Sequence, residues 1–232
     1  MTAHVEAAVV EAAVTALVED TFAALSRIGS VMTSMWDRCP APRSADLAGL
    51  RTAVFVELES HRELFNGAGV VVAEDALADQ PRYLEWWRNG ADPGESPTPL
   101  QLDLNPRSEY FYDYAAMAWF TVPRDRCVRA VHGPYLDFTG VDITVCTFAV
   151  PALSTGGTFI GIAGADVPVT AIDAALMPVL RTAPPLALVN TEGRVIVSNH
   201  ADHLPGARLR DAGDGRRRSV PDTPWALVQL DS

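Results

Sequence analysis

The sequence predicts an α+β fold with a long N-terminal helix, a five-stranded sheet with flanking helices, and a small C-terminal β unit. Three observations lead to this prediction. Apolar residues recur at helical spacing through residues 3–37. Short apolar or alternating segments, typical of strands, occur across residues 66–167, and a second group follows residue 185. The predicted units are therefore 1–65, 66–168 and 169–232.

Two helices are expected in the first unit. A helix over residues 3–37 would be about 50 Å long at roughly 1.5 Å per residue, longer than a domain of this size needs for its own core. We therefore expect it to brace two lobes or to pair with a second copy of the chain. Pro40 and Pro42 break this helix. Ser44 is a candidate N-cap for a second helix over 45–65.

The sheet and the C-terminal unit follow from alternation and from turn residues. A proline-rich loop is expected over 90–107 and a helix over 108–120. The five predicted strands are 70–73, 83–87, 128–137, 141–150 and 157–167. The predicted C-terminal elements are a helix over 168–181, a hairpin of 186–190 and 194–199, a polar loop over 201–224, and a strand over 225–230.

The charge of the chain excludes several functions. It has 29 acidic and 18 basic residues, a net charge of −11, and every basic residue is arginine. Without lysine, neither a pyridoxal phosphate Schiff base nor a P-loop lysine is available. The acidity argues against binding to a nucleic-acid backbone. No apolar window is long enough to span a membrane, and the N-terminus lacks the basic region of a signal peptide, so we expect a soluble cytoplasmic protein.

The sequence predicts no cofactor and no metal centre. Cys39, Cys127 and Cys146 are too widely spaced for a metal pair or a disulfide framework. His200 and His203 could bind a metal, although a solvated loop is the more common role of such a pair. The nucleophile-elbow, zinc-protease, dinucleotide-binding and EF-hand patterns do not occur.

Aromatic residues are concentrated in one region. Ten of the 18 lie within residues 83–135. Tryptophan and tyrosine commonly line small-molecule pockets, where ring faces and phenol groups orient a ligand. An aromatic-rich core segment would give the same composition, so both interpretations stay open at this point.

Three segments of this region resemble the Cache sensor domain, the PAS-like ligand-binding module of bacterial receptors. Trp119-Phe120 resembles the Trp-Tyr pair of that family. The segment Gly133-Pro134-Tyr135-Leu136-Asp137 contains the family's PYxD pattern, and residues 161–166 have its GxxGxD pattern. The resemblance implies a PAS-like antiparallel sheet with a ligand site in residues 66–168. Residues 169–232 would then form a reduced second lobe.

The resemblance also implies a ligand class. In amino-acid-binding members, an Arg or Lys two residues before the Trp binds the ligand carboxylate, while aromatics and two aspartates hold the ammonium. Here that position is Met117, whose thioether cannot pair with a carboxylate. The implied ligand is therefore a small cationic amine, held by cation–π contacts and charge-assisted hydrogen bonds. The expected ligand-binding residues are Trp86, Tyr114, Met117, Trp119, Tyr135, Asp137 and Asp166.

Each of these residues could instead have a purely structural role. Neighbours on a strand face opposite sides, so only one of Trp86 and Trp87 can line the pocket, and the family position favours Trp86. Arg88 is near enough in sequence to occupy the aromatic cage itself. The structural roles open to the rest are a core anchor for Trp119, a surface position for Tyr114, a sheet cap for Tyr135, an Asx turn with Thr139 and Gly140 for Asp137, and a helix N-cap for Asp166.

These features together predict a stand-alone sensor that recognises a small amine without chemistry. The signal would pass to a separate regulator or transporter, and a homodimer through residues 3–37 is expected. A different possibility is an enzyme in which Asp137, Asp166 or His132 transfers protons. A third is a helical-interface protein whose pocket is vestigial.

Overall fold

The computed structural model describes residues 2–90, 92, 94–137, 143–209 and 217–230, with side chains described from residue 6 onward. Helix α1 is Thr2–Trp36, close to the predicted helix. The predicted helix over 45–65 is shorter and divided into a 3₁₀ turn, Ser44–Leu47, and helix α2, Leu50–Ser60. Ser44 does not cap α2, because its hydroxyl donates to Asp79 Oδ2 at 2.7 Å.

Six strands form one sheet. Their bounds are β1 Gly67–Val72, β2 Leu84–Arg88, β3 Thr98–Pro99, β4 Ala130–Asp137, β5 Ile143–Leu153 and β6 Phe159–Pro168. The order in the sheet is β3-β2-β1-β6-β5-β4, and β1 pairs antiparallel with both β2 and β6. The five predicted strands are present, and the sixth, β3, is a two-residue edge strand inside the predicted loop 90–107.

The helix predicted over 108–120 is wrong. The structure instead has a 3₁₀ turn, Tyr114–Ala116, followed by helix α3, Ala118–Arg126. Short polar side chains compete with a helix in the preceding segment: Asn105 Oδ1 accepts from the backbone of Arg107, and Ser108 Oγ accepts from the backbone of Tyr110.

The C-terminal elements are one helix and a smaller sheet of four strands. Their bounds are α4 Val169–Leu180, β7 Leu186–Val189, β8 Val195–Ser198, β9 Arg217–Ser219 and β10 Ala226–Gln229. The order in this sheet is β8-β7-β10-β9. Strand β9 lies within the segment predicted as the loop 201–224, and the remaining elements agree with the prediction to within two residues.

The chain divides into two compact units. Unit 1 comprises Met1–Thr21, Val131–Cys146 and Val167–Ser232, and unit 2 comprises Phe22–Ala130 and Thr147–Asp166. Within unit 2, helix α1 packs on one face of the sheet, where Gly29 allows close approach to Ala163 and Val150. Within the described residues, no helix is both long enough and apolar enough to cross a membrane.

Candidate functional site

An aromatic cluster covers the opposite face of the sheet in unit 2. Trp86, Tyr114, Trp119 and Phe120 are buried together against Val71 and Ile162, and the partly buried Met117 packs against them. Phe120 meets Tyr114 edge-on at 5.2 Å and lies perpendicular to Trp119 at 6.2 Å between ring centroids. The structure therefore brings together four of the predicted site residues: Trp86, Tyr114, Met117 and Trp119.

The two adjacent tryptophans of β2 face opposite sides of the sheet. Trp86 lies in the aromatic cluster. Trp87 packs instead against Phe55 of α2, at 5.0 Å between ring centroids, with the Arg51 guanidinium 4.6 Å from the centroid of the indole. Strand alternation therefore places Trp86 in the candidate site and Trp87 on the opposite face of the sheet, against helix α2.

Three glycines make room for the Trp86 side chain on this face. Gly69 lies between Trp86 and Gly164 in the strand register, and Gly67 lies two pairs further along, on the same face. A Cβ on Gly164 would lie 3.2 Å from Trp86 Cη2, and a Cβ on Gly67 would lie 2.9 Å from Trp86 Nε1. The indole therefore lies flat across β1 and β6, where any larger residue would displace it.

The indole N–H of Trp86 is a buried donor without a partner. Trp86 is 6% exposed, and among the described residues its Nε1 finds no hydrogen-bond acceptor. A buried polar group in this state costs roughly 1–3 kcal/mol. An acceptor atom on a bound ligand would remove that cost.

Asp166 stands beside this indole on the same face. It pairs with Gly67 of β1, two register pairs from the Gly164–Gly69–Trp86 row. Thr147, itself 1% exposed, donates from Oγ1 to Asp166 Oδ1 at 2.6 Å. Asp166 does not cap the next helix, because the N-cap of α4 is Pro168. Its half-exposed carboxylate is thus oriented by a buried hydroxyl.

Arg88 lies in the same row of paired residues as Gly67 and Asp166, and it is not among the binding residues predicted from the sequence. It pairs with Gly67 from the side opposite Asp166, so Arg88 and Asp166 flank the glycine on one face. A Cβ on Gly67 would lie 3.5 Å from Arg88 Cγ, which shows that the arginine leans over the glycine. Arg88 follows Trp86 by two residues on β2, and residues at that spacing share one face of a strand, so the sequence pattern could have placed Arg88 on the face of Trp86.

Tyr114 and Met117 contribute mainly apolar surface. The Tyr114 hydroxyl donates to the carbonyl of Val72 at 2.9 Å in a fully buried contact, so a surface position for Tyr114 is wrong. Burial raises the pKa of the Tyr114 phenol to about 12. Met117 is the N-cap residue of α3, and its side chain packs against the aromatic cluster.

Tyr135 and Asp137 lie on β4, in unit 1. The Tyr135 ring is half-buried, with its centroid 5.4 Å from that of His132. Asp137 is 6% exposed at the end of the strand. The possible Asx turn with Thr139 and Gly140 falls outside the described residues. Burial lowers the pKa of His132, and the negative charge of Glu192 opposes this shift.

Comparisons with known proteins agree with this architecture. No protein family model and no curated protein matches the sequence. Among solved structures, the chain resembles methyl-accepting chemotaxis protein X with 18% identity and a TM-score of 0.61, over 97% of this chain and 98% of that one. The ligand-binding domain of the Campylobacter jejuni chemoreceptor Tlp3 in complex with L-valine is 12% identical, with a TM-score of 0.64, over 98% of this chain and 90% of that one.

A third similar structure is the periplasmic sensory domain of the Campylobacter jejuni chemoreceptor Tlp1. It is 11% identical, with a TM-score of 0.62, over 88% of this chain and 74% of that one. At these identities the likeness shows the fold. The chain has the fold of chemoreceptor sensory domains, as the sequence resemblance implied.

Proposed function

We propose that this chain is a ligand-binding sensor module that recognises a small organic ammonium compound without turning it over. The observation that carries the proposal is the arrangement of Asp166 and Trp86 on one face of the sheet. Thr147 donates a hydrogen bond to Asp166, and Asp166 pairs with Gly67, over which the edge of the Trp86 indole lies. A carboxylate and an aromatic face together form the usual recognition site of a cation. The fold shared with chemoreceptor sensory domains supports a sensing role.

Each part of the site would contribute a different interaction. The Asp166 carboxylate would accept charge-assisted hydrogen bonds from the ammonium group. The Trp86 and Trp119 rings would supply cation–π contacts, each about 0.5–2 kcal/mol, and Met117 would supply a polarisable apolar wall. The roles of Tyr135 and Asp137 as further contacts stay predictions, to be tested by Tyr135→Phe and Asp137→Asn.

A second ligand class is favoured by two groups on the same face. Arg88 shares the row of Asp166, and the buried Trp86 Nε1 is a donor that lacks an acceptor among the described residues. Both groups suit a carboxylate. A zwitterion, with its ammonium toward Asp166 and its carboxylate toward Trp86 Nε1 and Arg88, would use the whole row.

An enzymatic function has less support. Within the part of the chain that the structure describes, the side chain of His132 makes no hydrogen bond to a nucleophile or a carboxylate. An acid–base mechanism normally orients its histidine in that way.

Thermal-shift measurements with three matched compounds test the proposed function. Isoamylamine carries the ammonium alone, isocaproate the carboxylate alone, and L-leucine both groups on nearly the same skeleton. We expect stabilisation by isoamylamine or L-leucine, because a ligand that binds only the folded state raises its stability. Stabilisation by isocaproate alone would contradict the ammonium proposal and leave the fold unaffected.

The cellular context is also proposed. We propose that the module acts in the cytoplasm as a homodimer through α1 and signals to a separate regulator or transporter. Cys39, Cys127 and Cys146 are free thiols in the structure, as is usual in a reducing compartment. Cell fractionation and light scattering test the location and the dimer. Material found only outside the cytoplasm, or only as a monomer, would contradict the corresponding part.

A further inference from the structure

A cavity lies entirely within unit 1, against helix α4. It encloses about 920 Å³, within the range of roughly 300–1,000 Å³ that small-molecule pockets occupy. Its walls are α4, the end of β8, the loop 199–205 and the first residues of β5. None of the predicted site residues lines it.

One side of helix α4 forms the long wall of this cavity. Val169, Asp173, Met177 and Arg181 all line it, and their spacing of four residues places them along one side of the helix. Met177, in the middle, is half-buried. Leu204, which is 66% exposed, also lines the cavity. The centre of the cavity is therefore apolar.

Asn199 holds the loop against the C-terminal end of α4. Its Nδ2 donates to the carbonyl of Leu180 at 2.7 Å and to those of Ala183 and Pro184 at 3.2 and 3.1 Å. Its Oδ1 accepts from the backbone of Leu186 at 2.7 Å. His200 is therefore fixed close to the end of the helix where Arg181 stands.

This end of the cavity is rich in hydrogen-bond donors. His200 Nδ1 accepts from the backbone N–H of Asp202 at 3.3 Å and lies 4.0 Å from the Asp202 carboxylate. The His203 ring lies 5.2 Å from that of His200. Arg181 makes no side-chain hydrogen bond or ion pair with any described residue. A guanidinium and two imidazoles, all lining one cavity, suit a carboxylate.

We propose that this cavity binds a medium-chain monocarboxylate. The carboxylate is held by Arg181, His200 and His203, and the alkyl chain lies along Met177 and Leu204. Asp173 stands two helical turns from Arg181, about 12 Å away along the axis. Its charge disfavours a second carboxylate at that end and so selects ligands with a single anionic group. This site is separate from the proposed ammonium site and does not depend on it.

Isothermal titration calorimetry of the full chain with octanoate tests the proposal. We expect octanoate to bind and octylamine not to bind. Arg181→Gln should weaken binding about tenfold, since it removes the bidentate partner of the carboxylate. Thr170 is exposed and lines the cavity, so Thr170→Trp should fill the cavity and abolish binding while the fold is kept.

Arg126→Gln is the matched control, because Arg126 lies in the last turn of α3, outside this cavity. Arg126→Gln should bind octanoate like the parent chain. Thermal melts of each variant verify that it is folded. The proposal is overturned if octanoate does not bind the parent chain, if octylamine binds equally well, or if folded Arg181→Gln and Thr170→Trp keep the parent affinity.

Discussion

Thr147 Oγ1 donates a 2.6 Å hydrogen bond to Asp166 Oδ1 on the aromatic face of the sheet. The hydroxyl is buried and the carboxylate is half-exposed, so one end of the bond is fixed by the core and the opposite end faces outward. Within unit 2 this bond fixes the orientation of the Asp166 carboxylate on the sheet face.

Thr147→Val removes this donor at nearly constant volume. We expect a loss of about 1–2 kcal/mol in the free energy of unfolding, because Asp166 loses a hydrogen bond to a charged group but keeps access to water. Ammonium binding should weaken several-fold, since the carboxylate is no longer held in place. Chemical denaturation and calorimetry measure the two effects. Thr147→Ser, which keeps the hydroxyl, should retain most of the affinity, and an equal loss in both variants would refute the orienting role.

Gly164→Ala tests the position of the Trp86 indole. The new methyl would lie 3.2 and 3.3 Å from Trp86 Cη2 and Cζ3 and 3.0 Å from the Phe148 carbonyl. The indole must then shift. We expect about 1–3 kcal/mol of destabilisation, a change in tryptophan fluorescence, and weaker ligand binding.

Gly156→Ala is the control for this substitution. Its Cβ would meet only Ser154 Oγ, at 3.7 Å, so the free energy of unfolding should change by less than about 0.5 kcal/mol. If Gly164→Ala behaves like Gly156→Ala in fluorescence and in binding, the indole does not lie over Gly164 as described.

Tyr114→Phe should change the dependence of stability on pH. Burial raises the pKa of the Tyr114 phenol from 10.0 to about 12. Between these values the unfolded chain releases the phenolic proton and the folded chain keeps it, so the stability from this group is complete below pH 10 and is lost as pH rises through 12. Between these pH values the titration of Tyr114 lowers the free energy of unfolding by up to about 1.4 kcal/mol per pH unit.

Urea unfolding across this interval measures that slope. The Phe variant should show a shallower decline, together with a loss of roughly 1–3 kcal/mol at neutral pH from the missing bond to Val72. Burial and the hydrogen bond to Glu85 also raise the pKa of Tyr83, so some decline should persist in the variant. If the free energy of unfolding declined equally steeply with pH in the parent and in the Phe variant, the Tyr114 phenol would have the same pKa in the folded and unfolded states, which would contradict this prediction.

Arg88→Met separates the two ligand classes. If the ligand is a zwitterion, the variant should lose about tenfold in affinity for L-leucine, since its carboxylate loses a charged partner. Affinity for isoamylamine should stay the same or rise, because a cation close to the bound ammonium has been removed. Parallel titrations of the two ligands provide the measurement. Equal losses for both ligands would assign Arg88 a structural role.

The main elements of the fold could be predicted because their apolar residues continue over a long stretch of sequence. Helix α1 repeats its apolar positions over many turns, and β5 and β6 carry clear strand patterns. Strands β3 and β9 are exposed two- and three-residue edges without an apolar pattern. The segment before α3 is held by side-chain to backbone bonds, so its aromatic spacing, which resembles that of a helix, was misleading.

The candidate site was only partly visible in the sequence. Alternation along β2, together with the family position, was sufficient to choose Trp86 over Trp87. The row of Arg88, Gly67 and Asp166 depends on the register of three strands that are distant in sequence. The partner of Asp166, Thr147, lies on β5 and has no motif of its own. Such relationships follow from pairing geometry, which a single sequence does not specify.

The most direct test is calorimetric titration of isoamylamine and L-leucine into the parent chain and into Asp166→Asn. The amide can still accept the Thr147 hydrogen bond, so the fold should persist while the charge is lost. Glu109→Gln, which removes an exposed carboxylate outside both proposed sites, is the control and should bind like the parent. We predict that at least one ammonium ligand binds the parent chain and that Asp166→Asn weakens it about tenfold or more. Absence of binding by both ligands, or equal affinity in the parent and Asp166→Asn, would contradict the proposal.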